Sequence, residues 1–433
     1  MRKLTLPANL QSTAVNELIP RANITIASVT EAVESLIDEV RSDPVTALRD
    51  HSQRFDGVTP ESFRVPAEEL TKALAGLDPE LRLAIEEAIS RVRKVSEATL
   101  PKNSKTFLAE GAEVSQVFVP VDSVGLYVPG GKAVYPSSVI MNAVPAQVAK
   151  VPRIAVCSPA QKENAGLPNP TILATCALLG IEEVYAIGGA TAIAAFAFGV
   201  PEINMLPVRL VTGPGNIFVA AAKRALRGVI GIDSEAGPTE ILIIADSSAK
   251  PSLVAADLIS QAEHDENAAA VLVTDSASLI EQVEAELERQ VPLASNRNRI
   301  EAALSGEQSA LVLVDSIDQA IMVANEYATE HLEIHTVNAV EVAERIRNAG
   351  AVFVGDYSPV SLGDYMAGSN HVLPTSEQAK FGPGLGVHTF LRPQQRIHYS
   401  KQALREISDL VDRFAVAEGL SAHGTAAKIR FDH

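Results

Sequence analysis

An α/β protein, with parallel sheets covered by helices on both faces and helical arms at both ends, is the fold class predicted for this chain of 433 residues. Three observations predict it. Short apolar runs alternate with helix-period segments through the middle of the chain, which is the pattern of parallel sheets buried on both faces. Apolar residues make up 47% of the chain but aromatic ones only 4%, with no Trp, so the core must be built from Ala, Val, Ile and Leu. The alternation stops near both ends. Gly and Pro occur at ordinary frequency and 21% of the residues are charged, which excludes a disordered or collagen-like chain.

Taken in order, the first hundred residues read as acidic amphipathic helices at 29–41, 67–75 and 79–95, punctuated by Asp-Pro at 43 and 78. Strand-like runs follow at 154–156, 184–187, 208–211, 241–245, 270–273, 311–314 and 352–354. Helix-period segments lie between them at 171–179, 190–198, 218–226, 253–263, 279–289 and 340–348. Past residue 380 a Gly/Pro stretch at 381–386 leads to a last helix near 404–418. Residues 184–200 carry no charge and resemble a membrane span, but the run is shorter than the ~18 to 20 residues a spanning helix needs. Gly188-Gly189 interrupts it, so it reads as a buried strand, a turn and a buried Ala-rich helix.

The formal net charge is −17, with no Lys/Arg-rich run to offset it, so nucleic acid and anionic membrane surfaces are not expected as partners. Cys157 and Cys176 are the only cysteines, too few for a disulfide framework and compatible with a reducing cytoplasm. The N-terminal residues lack an apolar segment of signal-peptide length, and no export is expected. Of nine histidines only His51 precedes residue 264, so metal or acid/base chemistry belongs in the C-terminal part.

Two glycine-rich turns bear on cofactors. Gly130-Gly131-Lys132-Ala133 resembles the end of a phosphate loop, yet Leu126 stands where its first Gly belongs and Ala133 where Ser or Thr must bind magnesium, which excludes an NTPase. Gly213-Pro214-Gly215-Asn216-Ile217-Phe218 follows a strand and opens a helix, as a dinucleotide fingerprint does, but Phe218 occupies the third Gly position. Taken alone, it reads more readily as an ordinary strand-to-helix turn than as a phosphate or cofactor contact. Gln261 and His264, three apart, share one face near the end of a predicted helix. Asp364 and His371 fall in a segment rich in small residues, and His423 in the tail. Gln, His, Asp and His form a mixed N/O set acceptable to zinc or a neighbouring first-row metal, although spacing alone does not bring them together. Glu330 and His331 open a run in which Leu332 and Ile334 alternate with His331, Glu333 and His335. That pattern is either a carboxylate–imidazole pair for proton transfer or a solvated edge strand. No base adjoins Cys157, which argues against a thiol nucleophile, and Cys176 reads as core.

The ordered set 124–131 (Val-Gly-Leu-Tyr-Val-Pro-Gly-Gly), Tyr135-Pro136-Ser137-Ser138, Thr212 to Asn216, Ala236-Gly237-Pro238-Thr239-Glu240, Ser260 to His264, Glu330-His331-Leu332-Glu333, Gly363-Asp364-Tyr365 and Asn370 to Thr375 resembles the histidinol dehydrogenase family from about residue 25 to the end. The resemblance implies NAD- and zinc-dependent oxidation of L-histidinol to L-histidine through L-histidinaldehyde, with two NAD+ taking four electrons. It implies two Rossmann-like domains, 124–238 and a discontinuous 26–123 plus 239–380. An N-terminal arm (1–25) and a C-terminal arm (381–433) would complete an intertwined homodimer. It assigns zinc, one per subunit, to Gln261, His264, Asp364 and His423, the last from the neighbouring subunit. Glu330 and His331 match the family's catalytic pair. Thr239, His371 and Glu418 match substrate contacts, alongside Gln261, His264, His331, Asp364 and His423. Tyr127, Thr191 and Asn216 match NAD contacts. Thr191 departs from the family's common Gln and Lys132 from its common small residue, which leaves a paralogous zinc dehydrogenase for another small amino alcohol or polyol as the alternative. A non-catalytic scaffold would have no need of this residue set. His51, His335, His388, His398 and His433 receive no role.

Overall fold

The computed structural model describes residues 1–19, 21–22, 26–130, 134–235 and 237–431. Gly131, Lys132, Ala133, Ala236 and His433, named above, lie outside them. Two parallel sheets form the body. The larger, six-stranded sheet runs in the order Arg2–Thr5, Ala310–Leu313, Ala269–Thr274, Glu240–Ala245, His331–His335, Ala351–Val354. The smaller has five strands in the order Val184–Ala186, Ile154–Ser158, Val124–Tyr127, Leu210–Thr212, Gly231–Ile232. Central strands such as Glu240–Ala245 and Ala269–Thr274 are buried along their whole length, because helices cover both faces and leave no solvent side to favour polar residues.

Helix boundaries follow local chemistry. The Asp78 side chain accepts the Leu81 N–H at 2.9 Å and Pro79 supplies the first helical residue of Pro79–Ala98. Asn216 accepts from Phe218 and Val219 at the start of Ile217–Leu226. The uncharged stretch is a strand, Val184–Ala186, a turn, and the buried helix Gly189–Phe198. Among the described residues no helix is long and apolar enough to cross a membrane.

Three features of the packing bear on how the chain is organised. The helices Thr30–Ser42, Ala67–Ala75 and Pro79–Ala98 pack on the helices of the five-stranded sheet, where the sequence division joined residues 26–123 to 239–380. Their apolar faces (Val33, Ile37, Leu70, Ile85, Val92) complete the cores around that smaller sheet. The N-terminal segment contributes Arg2–Thr5 as an edge strand of the larger sheet, paired in parallel with Ala310–Leu313. The C-terminal segment contributes Leu391–Tyr399, which pairs antiparallel with Ala112–Pro120 in a three-stranded sheet with Ser104–Ala109. Beyond it, Lys401–Ala417 and Ser421–Lys428 pack on each other.

Candidate active site

A cavity of about 1150 Å³ opens between the two sheets. On one side its wall comes from the carboxyl ends of the smaller sheet's strands: Tyr127, Gly188 and Thr191, and the turn Pro214 to Asn216. This is where open parallel sheets place ligands, beside the central strand at which connections leave in both directions. On the other side lie Thr239, His264, Glu330, His331, Asp364 and His371. Thr239 and Glu330 precede their strands, so this wall is the amino edge of the larger sheet.

The polar wall is tightly connected. Thr239 donates its hydroxyl to Glu330 Oε2 at 2.5 Å and accepts from Gln261 Nε2 at 2.7 Å. With its amide nitrogen so engaged, the fully buried Gln261 turns an oxygen, Oε1, that has no hydrogen-bond partner. His264 Nε2 lies 3.9 Å from Asp364 Oδ2. An orphaned buried amide oxygen on Gln261, with the neighbouring imidazole–carboxylate pair of His264 and Asp364, offers the donor types that a divalent cation of the zinc type takes. The helix carrying Gln261 ends at Ala262, so His264 sits in the turn beyond it and not on the helix face expected. Asp364, from the segment rich in small residues, lies on the short helix Val360–Tyr365. His371 packs between Ser138 Oγ and the Asp364 carbonyl, at 3.2 Å from each.

Strand His331–His335 is interior, flanked by Glu240–Ala245 and Ala351–Val354, which removes the solvated-edge alternative. Leu332 and Ile334 enter the apolar core while the polar residues occupy the opposite face, as the alternation requires. Burial pushes the Glu330 carboxyl up to about 8, with the Glu240 carboxylate adding to the shift and the Thr239 hydrogen bond opposing it. Burial, helped by His264 and His371, pulls His331 down to about 3, so its imidazole is neutral. Its Nδ1 lies 3.7 Å from Glu330 Oε2.

The facing wall is built differently. Gly213 has φ +121°, and a Cβ there would stand 2.1 Å from the Tyr127 carbonyl oxygen, so only glycine lets the turn pass this strand. The buried Lys223 clamps that turn by bonding the Gly213 carbonyl and Asp233, whose other oxygen accepts the Gly213 N–H at 2.8 Å. The Tyr127 hydroxyl accepts the Gly189 N–H at 3.0 Å, and burial pushes the phenol up to about 12, which keeps it neutral. Thr191 is bonded to His51 Nδ1 at 2.8 Å, and His51 Nε2 to Glu39 at 2.8 Å. His51, assigned no role from sequence, therefore lines the cavity, as do Ser138 and Asp56, whose carboxyl burial pushes up to about 6. Only the resemblance marked Ser138, and no sequence signal marked Asp56.

Not all the expected site residues meet. Glu418 and His423 are exposed and line a separate shallow groove with Leu410, Phe414 and Leu420 on the C-terminal helices. Cys157 is fully buried and burial holds its thiol well above the ordinary range, so it is no nucleophile. Cys176 is buried core.

A cleft between two parallel-sheet units, with helix N-termini on one wall and an acid/base set on the other, defines a dehydrogenase of the two-domain α/β class. An apo betaine aldehyde dehydrogenase from Staphylococcus aureus shares this fold at 14% identity, with a TM-score of 0.51 over 89% of this chain and 85% of that one. The histidinol dehydrogenase family profile matches residues 19–431. A histidinol dehydrogenase from Thermobifida fusca is 58% identical over 95% of this chain and 94% of its own. The crystal structure of histidinol dehydrogenase from Elizabethkingia anophelis superposes with a TM-score of 0.94 at 32% identity, over 100% of this chain and 98% of that one. The chain belongs to the histidinol dehydrogenase family and is an NAD-dependent oxidoreductase.

Proposed function

We propose that the chain oxidises L-histidinol to L-histidine through L-histidinaldehyde, with two NAD+ in succession and one zinc ion per subunit, as a cytoplasmic intertwined homodimer. One observation carries the reading: Thr239 and Glu330, joined by hydrogen bonds to each other and to Gln261 behind them, line one cavity with His264, Asp364 and His331, facing Tyr127, Thr191 and Asn216. Bound at Gln261, His264 and Asp364, zinc would act as a template for the substrate's imidazole and amino groups.

The neutral His331 imidazole is suited to take the alcohol proton as hydride leaves the carbinol carbon for the first NAD+. Glu330, a strong base once ionised, takes a proton from the water that attacks the aldehyde carbon. NAD+, held along Tyr127, Thr191 and Asn216, would supply the hydride acceptor for the alcohol and for the hydrate alike. Thr239 holds the Glu330 carboxyl in place throughout. Glu418 would pair with the substrate's ammonium or imidazole group, and His423 would supply the remaining zinc ligand.

The homodimer is supported by the position of these last two residues. They sit on an arm whose Leu410, Phe414 and Val416 are 59%, 74% and 61% exposed, an apolar face that a second copy would cover. The two free cysteines, both buried, agree with a reducing compartment.

The test is NADH formation from L-histidinol with added zinc and with chelator, where two NADH per substrate and loss on chelation are expected. No turnover overturns the reading. Turnover of another amino alcohol in its place favours the paralogous dehydrogenase that Thr191 suggests.

A further inference from the structure

Behind the reacting groups lies a second buried polar cluster that the reaction does not use. Strand His331–His335 turns His331, Glu333 and His335 to one face, opposite the helix Pro251–Ala262, which carries Gln261 and, one turn earlier, Asp257. Asp257, Glu333 and His335 bring their polar atoms within 4.8 Å of one another. His335 Nε2 stands 3.3 Å from Glu333 Oε2 and 3.6 Å from Asp257 Oδ2. Its Nδ1 faces Asp356 at 3.6 Å, and Lys250 closes the ladder at the surface, 2.9 Å from Asp356. The other oxygen of the fully buried Glu333 accepts the Val360 N–H at 2.7 Å. Val360 is the first residue of the short helix that carries Asp364.

The helix of Asp364 and the strand of His331 thus meet at one carboxylate, to which the helix of Gln261 is linked through His335 and Asp257. A buried ionic cluster is a weak stabiliser compared with well-packed apolar side chains, so what its geometry supplies is placement. Burial and the Glu333 charge push the Asp257 carboxyl up, with His335 opposing the shift.

We propose that Glu333 is a positioning residue for the metal-binding set, tying the helix of Asp364 directly, and the helix of Gln261 through His335 and Asp257, to the strand of His331. This rests on the zinc reading above. The arrangement matches the general behaviour of metal sites, where outer partners that orient the ligands change affinity by about 10- to 100-fold when removed.

The test compares Glu333→Leu, Glu333→Gln and Val360→Pro with the parent chain, reading zinc affinity by chelator competition, the visible spectrum of the cobalt(II) form, the melting temperature of the metal-free protein and KM for NAD+. Glu333→Leu is expected to weaken zinc binding by about 10- to 100-fold and shift the cobalt bands, with KM for NAD+ unchanged. Val360→Pro deletes the N–H at a first helical position, where proline is accommodated, and also alters a buried apolar side chain, so its zinc loss counts only where the melting temperature of the metal-free protein holds; it should then reproduce the loss. Glu333→Gln keeps an acceptor for Val360 and should recover most of the affinity. If Glu333→Leu fails to fold, Val360→Pro against Glu333→Gln decides. Zinc affinity within twofold of the parent, with an unchanged cobalt spectrum in Val360→Pro and in any folded Glu333→Leu, overturns the proposal. A parent chain that binds zinc no better than His264→Ala overturns the metal reading itself, and this inference with it.

Discussion

The two walls of the cavity are made from the same strand–helix units but present opposite ends of them. The five-stranded side offers carboxyl ends of strands and the N-termini of helices Gly189–Phe198 and Ile217–Leu226, where the helix dipole favours an anion. The six-stranded side offers amino ends of strands and the C-terminus of helix Pro251–Ala262, where carbonyl dipoles favour a cation. One wall thus suits a pyrophosphate-bearing cofactor and the other a metal with its acid/base residues. In the proposed reaction a hydride would cross from the six-stranded wall to the five-stranded one, across the cavity where these unlike ends face each other.

If the walls are independent in this way, each can be damaged without the other. The largest effect is expected for His264→Ala: metal retention and turnover are lost, by about 10³-fold or more for a metal that positions substrate. The protein stays folded and its NAD+ affinity, read by fluorescence titration, is unchanged; a parallel loss of cofactor binding would show that the walls are coupled. Next comes Glu330→Gln, expected to slow the aldehyde step by about 10²- to 10⁴-fold in single turnover while sparing the alcohol step. Because burial keeps the Glu330 carboxyl protonated until about pH 8, the ionised base appears as pH rises. The aldehyde step of the parent chain should climb through that range, and the variant should lose the climb. An alcohol step that suffers more than the aldehyde step would reverse the two role assignments.

Damage to the opposite wall should look different. Lys223→Met leaves Asp233 buried without its cation, which typically costs about 3–5 kcal/mol, and frees the turn at Gly213. The expected readout is a lower melting temperature and weaker NAD+ binding at unchanged zinc content; zinc loss in step with NAD+ would again couple the walls. The smallest effect belongs to Cys157→Ala, whose thiol the reaction does not need. Turnover within about twofold is expected, and no alkylation of the native protein at pH 8, since burial holds the thiol protonated. Rapid native-state alkylation with loss of activity would contradict its buried position.

Much of this was legible in the order of residues. The apolar runs and helix periods located most strands of both sheets, since burial on both faces leaves a compositional trace. Leu391–Tyr399 left none: its burial pattern is almost wholly exposed, and pairing with Ala112–Pro120 is what makes it a strand. Arg2–Thr5 is likewise an edge created by its neighbour. The grouping of residues 30–98 could not be read either, because an amphipathic helix states that one face is buried but not against which partner. At the site, Gln261, His264, Asp364, Glu330 and His331 stood out by residue type. His51 and His335 did not, because one is marked by contact with Thr191 and the other by contact with Glu333.

What the sequence determined by itself was the chemistry available: parallel α/β units, a histidine-rich C-terminal part, a carboxylate–imidazole pair at the head of a strand, and an acidic surface. Those are properties of single residues and short periods, set by local sterics and by the burial of apolar area. The tertiary structure alone decided which sheet the N-terminal helices cover, which ends of the two sheets face each other, and that Glu333 touches the helix of Asp364. Those are contacts between segments far apart in the chain, chosen by the packing of complementary faces, and no short window of residues contains both partners.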